Sequence, residues 1–224
     1  AGKFIVIEGT DGSGKATQTG LLVERLKQAG HKVAMVDFPR YGNPSSHFIE
    51  KYLNGGYGDM SEIGPEKASL FYALDRFDAS PDIRTWLADG AIVIANRYVA
   101  SNMGHQGSKI DDQEARRDFF KWVHELEYDT LGIPRPDINL LLHVPAETAF
   151  ELIGQKGDRA YLKGGKRDMH EGSVEHLRRA EATYKEMMEM FPQEFLPIEC
   201  APDGKLLSPE EISAKIWESA QKFI

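Results

Sequence analysis

The chain has 224 residues, 41% of them hydrophobic and 28% charged, with a formal net charge of −8 at pH 7. That length and apolar content suit one sizeable core, a single domain over 1–224 with a mobile insert. The acidic balance argues against a general binder of nucleic acid or anionic membrane, which needs a broad basic field.

No apolar run approaches the roughly 18 residues of a membrane span, and no charged-then-apolar leader precedes the first strand-like run. Cys200 is the one cysteine, so neither an intrachain disulfide nor a cysteine-based zinc site can form. The expectation is a soluble cytoplasmic protein in which Cys200 fills the core.

The first strand-like run covers 4–7, and Gly9-Thr10-Asp11-Gly12-Ser13-Gly14-Lys15 follows it directly. The spacing G-x-x-x-x-G-K cradles phosphate, because glycines let backbone N–H groups turn inward and approach the oxygens closely. An accidental glycine turn has the same letters. The setting argues for function: Gln18, Leu21, Leu22, Leu26 and Ala29 follow at helical spacing, with Gly30 placed to cap the end. Lys15 then reaches the donor's β- and γ-phosphates. Where a Ser or Thr hydroxyl binding Mg²⁺ is expected next, Ala16 stands, followed by Thr17.

A second run at 33–36 precedes a stretch at 42–64 that reads as irregular, with Asn43-Pro44 and Gly55-Gly56-Tyr57-Gly58. Further strand-like runs at 91–95, 138–144 and 195–198 alternate with helical patterns at about 111–128, 171–190 and 208–223. Such alternation predicts a parallel sheet covered on both faces. Ser208-Pro209-Glu210-Glu211 is a helix start, with serine as cap and a glutamate three residues on. Met187, Met188 and Met190 read as core or subunit interface. The glycine-hinged segment at about 154–170 carries Lys156, Arg159, Lys163, Lys166 and Arg167 in an otherwise acidic chain, and reads as a lid closing over phosphates.

Taken in order, IEGTDGSGKATQ, Phe38-Pro39-Arg40-Tyr41, SLFYALDR, NRYVASNMGHQG and Pro136-Asp137, followed by the lid, resemble the blocks of the thymidylate kinases. These nucleoside monophosphate kinases move the γ-phosphate of ATP onto dTMP. The resemblance covers nearly the whole chain and implies an α/β, three-layer P-loop NTPase fold, with a five-stranded parallel sheet flanked by helices. It also implies Mg²⁺ as cofactor and a homodimer, to which the aromatic-rich helix after Asp111 would contribute. On this resemblance Gly9, Thr10, Asp11, Gly12, Ser13, Gly14, Lys15, Ala16 and Thr17 hold ATP. Asp11 also stands near the acceptor's phosphate and is the candidate Mg²⁺ ligand. Phe38, Pro39 and Tyr41 line the dTMP phosphate pocket. Arg76 grips that phosphate, and Tyr72 stacks on thymine, with Phe71 as the alternative ring. The fourth block is similar to the family's DR(Y/H)xxSxxA(Y/F)xG: Arg97 is its phosphate-binding arginine, and Ser101, Asn102, His105 and Gln106 line the sugar and base.

Arginine's planar fork matches phosphate oxygens, which suits a transfer between two polyanions. An ordinary surface charge, or an ion pair with a neighbour such as Asp75, is the competing explanation for each arginine. Three positions depart from the family pattern: Ala16, Asn96 where an aspartate is usual, and His143 on a strand where an aspartate is common. His143 reads as a hydrogen-bonded core residue. The phosphate loop contains no arginine, where one branch of the family carries its catalytic arginine, so the resemblance implies the other branch, whose lid supplies the charge, with Arg159 as first candidate. Two alternatives stay open: a kinase for a deoxynucleoside or another monophosphate, and a nucleotide-binding module without catalysis.

Overall fold

The computed structural model describes residues 2–155 and 174–224. Its strands are β1 (Lys3–Gly9), β2 (Val33–Asp37), β3 (Ile92–Asn96), β4 (Ile138–His143) and β5 (Phe195–Glu199). They form one parallel sheet in the order β2-β3-β1-β4-β5. Each coincides with an apolar run of the sequence. Successive side chains point to opposite faces, so Phe4 and Val6 enter one core with Val93 and Ala95. Ile5 and Ile7 enter the other with Ile94, Leu140 and Leu142. Both faces need cover, and the crossover helices between parallel strands provide it.

The helices are α1 (Lys15–Gln28), α2 (His47–Leu53), α3 (Met60–Ile63), α4 (Pro65–Ala88), α5 (Val99–Gly107), α6 (Gln113–His124), α7 (Ala146–Gln155), α8 (Val174–Met190) and α9 (Pro209–Ala220). Local chemistry sets several ends. Gly30, at φ +86°, closes α1 with its N–H on the Lys27 carbonyl at 2.9 Å, while His31 N–H reaches Leu26 at 3.1 Å. Ser208 and Glu211 cap α9 reciprocally. Asp112 accepts from Ala115 N–H at 2.8 Å to start α6.

Four expectations need correction. The stretch 42–64 holds α2 and α3, because Ile49 and Tyr52, one turn apart, both bury their side chains. The helix expected over 111–128 is α-helical only to His124 and continues as a wider π-type turn over Glu125–Thr130. Phe119 and Phe120 are buried in the core and Trp122 packs half-buried against it, so most of the aromatic surface of that helix faces inward. On α4, by contrast, the large apolar side chains of Leu70, Leu74 and Phe77 are exposed and follow one another at helical spacing. His143 is hydrogen-bonded, to Glu199 at 2.7 Å and Glu181 at 2.9 Å, but its side chain is 41% exposed at the end of β4. Met187 is core, with Met188 and Met190 packed against it. Burial pushes the Cys200 thiol up to about 12, as expected of an inert core residue.

Candidate active site

β1 runs straight into the phosphate loop, and Gly14, at φ +89°, is the N-cap of α1. The loop amides therefore sit at a helix N-terminus, where partial positive charge favours an anion. The path admits no side chain at Gly12, which has φ +79°: a Cβ there would lie 2.3 Å from the Ala149 carbonyl oxygen. Lys15 Nζ donates to the Thr10 carbonyl at 2.7 Å, which bends the lysine along the loop. The hydroxyls of Thr10 and Ser13 are buried with no hydrogen-bond partner among the described residues.

Strand register brings the other groups to this point. Asn96 lies opposite both Ile7 and Asp37, so the carboxyl ends of β1, β2 and β3 are level. That edge is where open α/β sheets bind ligands. Asn96 Nδ2 donates to Asp37 Oδ1 at 2.6 Å, while Asn96 Oδ1 is buried without a partner among the described residues. Arg97 follows in the left-handed region at φ +68°, held by its N–H on the Ile7 carbonyl at 3.0 Å. Its Nη2 donates to Asp11, and its Nη1 lies 3.1 Å from His105 Nε2. Burial alone would raise the Asp11 carboxyl; the charges of Arg97 and Lys15, with the Arg97 hydrogen bond, overcome it and hold Asp11 well below the usual carboxylate range. Burial pushes His105 down to about 3, which leaves a neutral imidazole.

Glu8 anchors this corner and carries no motif role. It is fully buried at the start of α5, accepting from Tyr98 N–H at 2.7 Å, Ser101 N–H at 3.1 Å and Ser101 Oγ at 2.7 Å. A carboxylate inside an apolar strand run was the available signal: burial of that kind requires donors. Here they are unpaired amides of a helix N-terminus.

Arg76 belongs to a different network from Arg97. It is 2% exposed, and its Nε and Nη2 donate to Glu127 at 2.5 and 2.6 Å. Asn102 Nδ2 donates to the same carboxylate at 2.9 Å. Glu127 lies in the π-type turn and is fully buried, so Arg76 is neutralised from α6's extension. Asp75 is held instead by Arg40, through Nε at 3.0 Å and the backbone N–H at 2.8 Å.

One cleft of about 470 Å³ collects most of the predicted residues: Asp11, Gly12, Gly14, Lys15, Ala16, Phe38, Pro39, Tyr41, Tyr72, Arg76, Arg97, Ser101, Asn102, His105 and Gln106. Gly9, Thr10 and Ser13 form the loop behind it, and Thr17 is exposed on α1. Phe71 points elsewhere, with ring centroids 5.9 Å from Phe48 and 5.5 Å from Tyr57. Of the two adjacent rings, only Tyr72 faces the cleft. Asp37, Leu53, Lys109 and His176 also line it and were not expected to. Arg159 and most of the lid at 154–170 lie outside the described residues.

The sequence model of the family described as thymidylate kinase matches residues 7–208. The chain belongs to the thymidylate kinase family. The thymidylate kinase of Mycobacterium tuberculosis strain H37Rv is 36% identical over 185 residues, which are 82% of this chain and 85% of that protein. That of Thermomicrobium roseum is 31% identical over 222 residues, 99% of this chain and 95% of the relative. The solved thymidylate kinase of Candida albicans has the same fold, with a TM-score of 0.72 at 22% identity, covering 99% of this chain and 92% of that one.

For a thymidylate kinase, the donor set here suits a divalent metal that arrives with its nucleotide. Among the described residues, no group of three or more His, Cys, Asp or Glu side chains could hold a metal ion by itself. The orphaned Asn96 Oδ1 and the Asp37 carboxylate stand at the cleft wall beside Ala16, which offers no oxygen. Small hard cations keep waters and bind through one or two carboxylates plus substrate phosphates, and that is compatible with these groups.

Proposed function

We propose that the protein transfers the γ-phosphate of ATP to dTMP, giving ADP and dTDP by direct in-line displacement. The observation that carries this reading is a single cleft lined by both the phosphate-loop lysine and Arg97, in a chain of this family. Lys15 and the loop amides hold the donor phosphates. Arg97, still carrying N–H groups beyond those on Asp11 and His105, receives the acceptor's phosphate. Positioning and electrostatics account for catalysis of this type.

Arg76 takes a different role from the phosphate grip assigned by resemblance. Glu127 already neutralises it, and it shares that carboxylate with Asn102. Arg76 is four residues from Tyr72, hence on the same helix face. A ring for stacking beside polar groups without net charge suits a base edge. Mg²⁺, held by Asp11 and Asp37 with water and the phosphates, would neutralise charge on the transferring group. Arg159 supplies the lid's cation.

The exposed stripe Leu70, Leu74 and Phe77 on α4 supports homodimerisation through that helix, and Leu74→Glu should yield a monomer in analytical ultracentrifugation. A cytoplasmic location fits the family and the single buried thiol. The test of function is ADP release over a panel of acceptors: dTMP should be preferred. Thymidine proving the better substrate, or ATP binding without turnover at saturating Mg²⁺ and dTMP, would overturn it.

A further inference from the structure

We infer that His105 is a positioning residue: as a neutral imidazole it accepts a hydrogen bond from Arg97 and so sets the direction of the guanidinium that meets the acceptor's phosphate. This rests on the role proposed for Arg97.

The inference follows from which atoms can donate. A guanidinium has five N–H donors and no acceptor. Arg97 Nη1 lies 3.1 Å from His105 Nε2, so the imidazole must present a lone pair at Nε2 and carry its proton on Nδ1. An imidazolium would aim an N–H at a cation. The second arm of the guanidinium is on Asp11 Oδ1, which itself is 4.0 Å from His105 Nε2. One arm is thus tied to the phosphate loop and the other to α5. Arg97 sits between them on backbone at φ +68°. Without the second tie a long, flexible side chain would be free to turn wholly onto Asp11.

The ring is itself held in place. Tyr184 packs edge-on to His105, with centroids 6.2 Å apart and planes at 88°, and His176 lies nearly parallel at 6.3 Å. Tyr184 can approach only because residue 104 is glycine: a Cβ there would lie 2.7 Å from its ring. Gly104 and His105 occupy positions where the family block has alanine and then tyrosine or phenylalanine. A phenyl ring keeps the shape of His105 and lacks the acceptor, which separates packing from hydrogen bonding.

The experiment has a spectroscopic and a kinetic arm. In the ligand-free protein at pH 7, ¹⁵N NMR of the histidine side chains should show His105 neutral with its proton on Nδ1. His105→Phe should raise the KM for dTMP about ten- to a hundredfold, the loss of a hydrogen bond to a charged group, with the KM for ATP unchanged. His105→Gln, whose amide oxygen can accept, should recover most of that loss. An Nε2–H tautomer or an imidazolium overturns the inference whichever monophosphate is the acceptor. Equal defects in Phe and Gln variants, for both nucleotides, also overturn it. If the wild-type protein fails to turn over dTMP, the proposed function falls, and the tautomer still decides whether His105 accepts from Arg97.

Discussion

Replacing Arg97 with alanine removes the cation paired with Asp11, whose side chain is only 9% exposed. A buried carboxylate stripped of its partner destabilises by about 3–5 kcal/mol, and the opening toward the cleft argues for the lower end. Alanine keeps the left-handed backbone strain, whereas glycine releases it, so Arg97→Gly should be about 1 kcal/mol more stable than Arg97→Ala. The sign of the pH dependence follows from the depressed Asp11 value. In the wild-type protein this group's stabilisation is present above the unfolded carboxyl value, about 3.9, and is lost as pH falls through the lower folded value. In the variant, burial raises the same carboxyl with only the weaker influence of Lys15 opposing it. The stability gap between the two proteins should therefore be full at pH 7 and narrow as pH falls toward 4. Urea unfolding at both pH values measures it. Steady-state kinetics should show the KM for dTMP rising far more than that for ATP. A gap independent of pH, or equal losses for both nucleotides, would refute the reasoning.

Lys15→Ala should lower turnover by orders of magnitude, well beyond any effect of losing its hydrogen bond to the Thr10 carbonyl on stability; near-normal activity would remove the phosphate loop from the mechanism. Tyr72→Ala should cost about 1–3 kcal/mol of acceptor affinity in titration calorimetry, as base–aromatic stacking does elsewhere. Phe71→Ala should instead lower the melting temperature, since its ring packs on Phe48 and Tyr57. Arg159→Ala should reduce kcat by roughly 10³–10⁵, more than alanine at Lys156, Lys163, Lys166 or Arg167; a uniform small loss across all five would mean a diffuse positive field.

Strands and the phosphate loop were legible because their signals are local. A run of apolar residues, a glycine spacing or a serine three residues before a glutamate declares itself within one turn of chain. Gly30 and Ser208 cap their helices as their neighbours predict. The short helix α2 was hidden by the glycines and proline around it, although Ile49 and Tyr52 carried its period. The ring at Tyr72 was chosen from helical spacing to Arg76, and it faces the cleft.

What the sequence by itself determined is thus the order of elements, the two-faced parallel sheet and the place of the glycine-rich loop between β1 and α1. The tertiary structure alone decided which charges meet. Arg76 finds Glu127 from 51 positions away, and Arg97 finds Asp11 from 86. Glu8 reaches the amides of α5 across more than 90 positions. No local pattern encodes such pairs, because they depend on strand register and on where α6's extension sets Glu127 against α4. Those pairings separate two arginines that look alike in sequence: one is neutralised in the core beside Tyr72, and the other is held between a carboxylate and an imidazole at the phosphate loop.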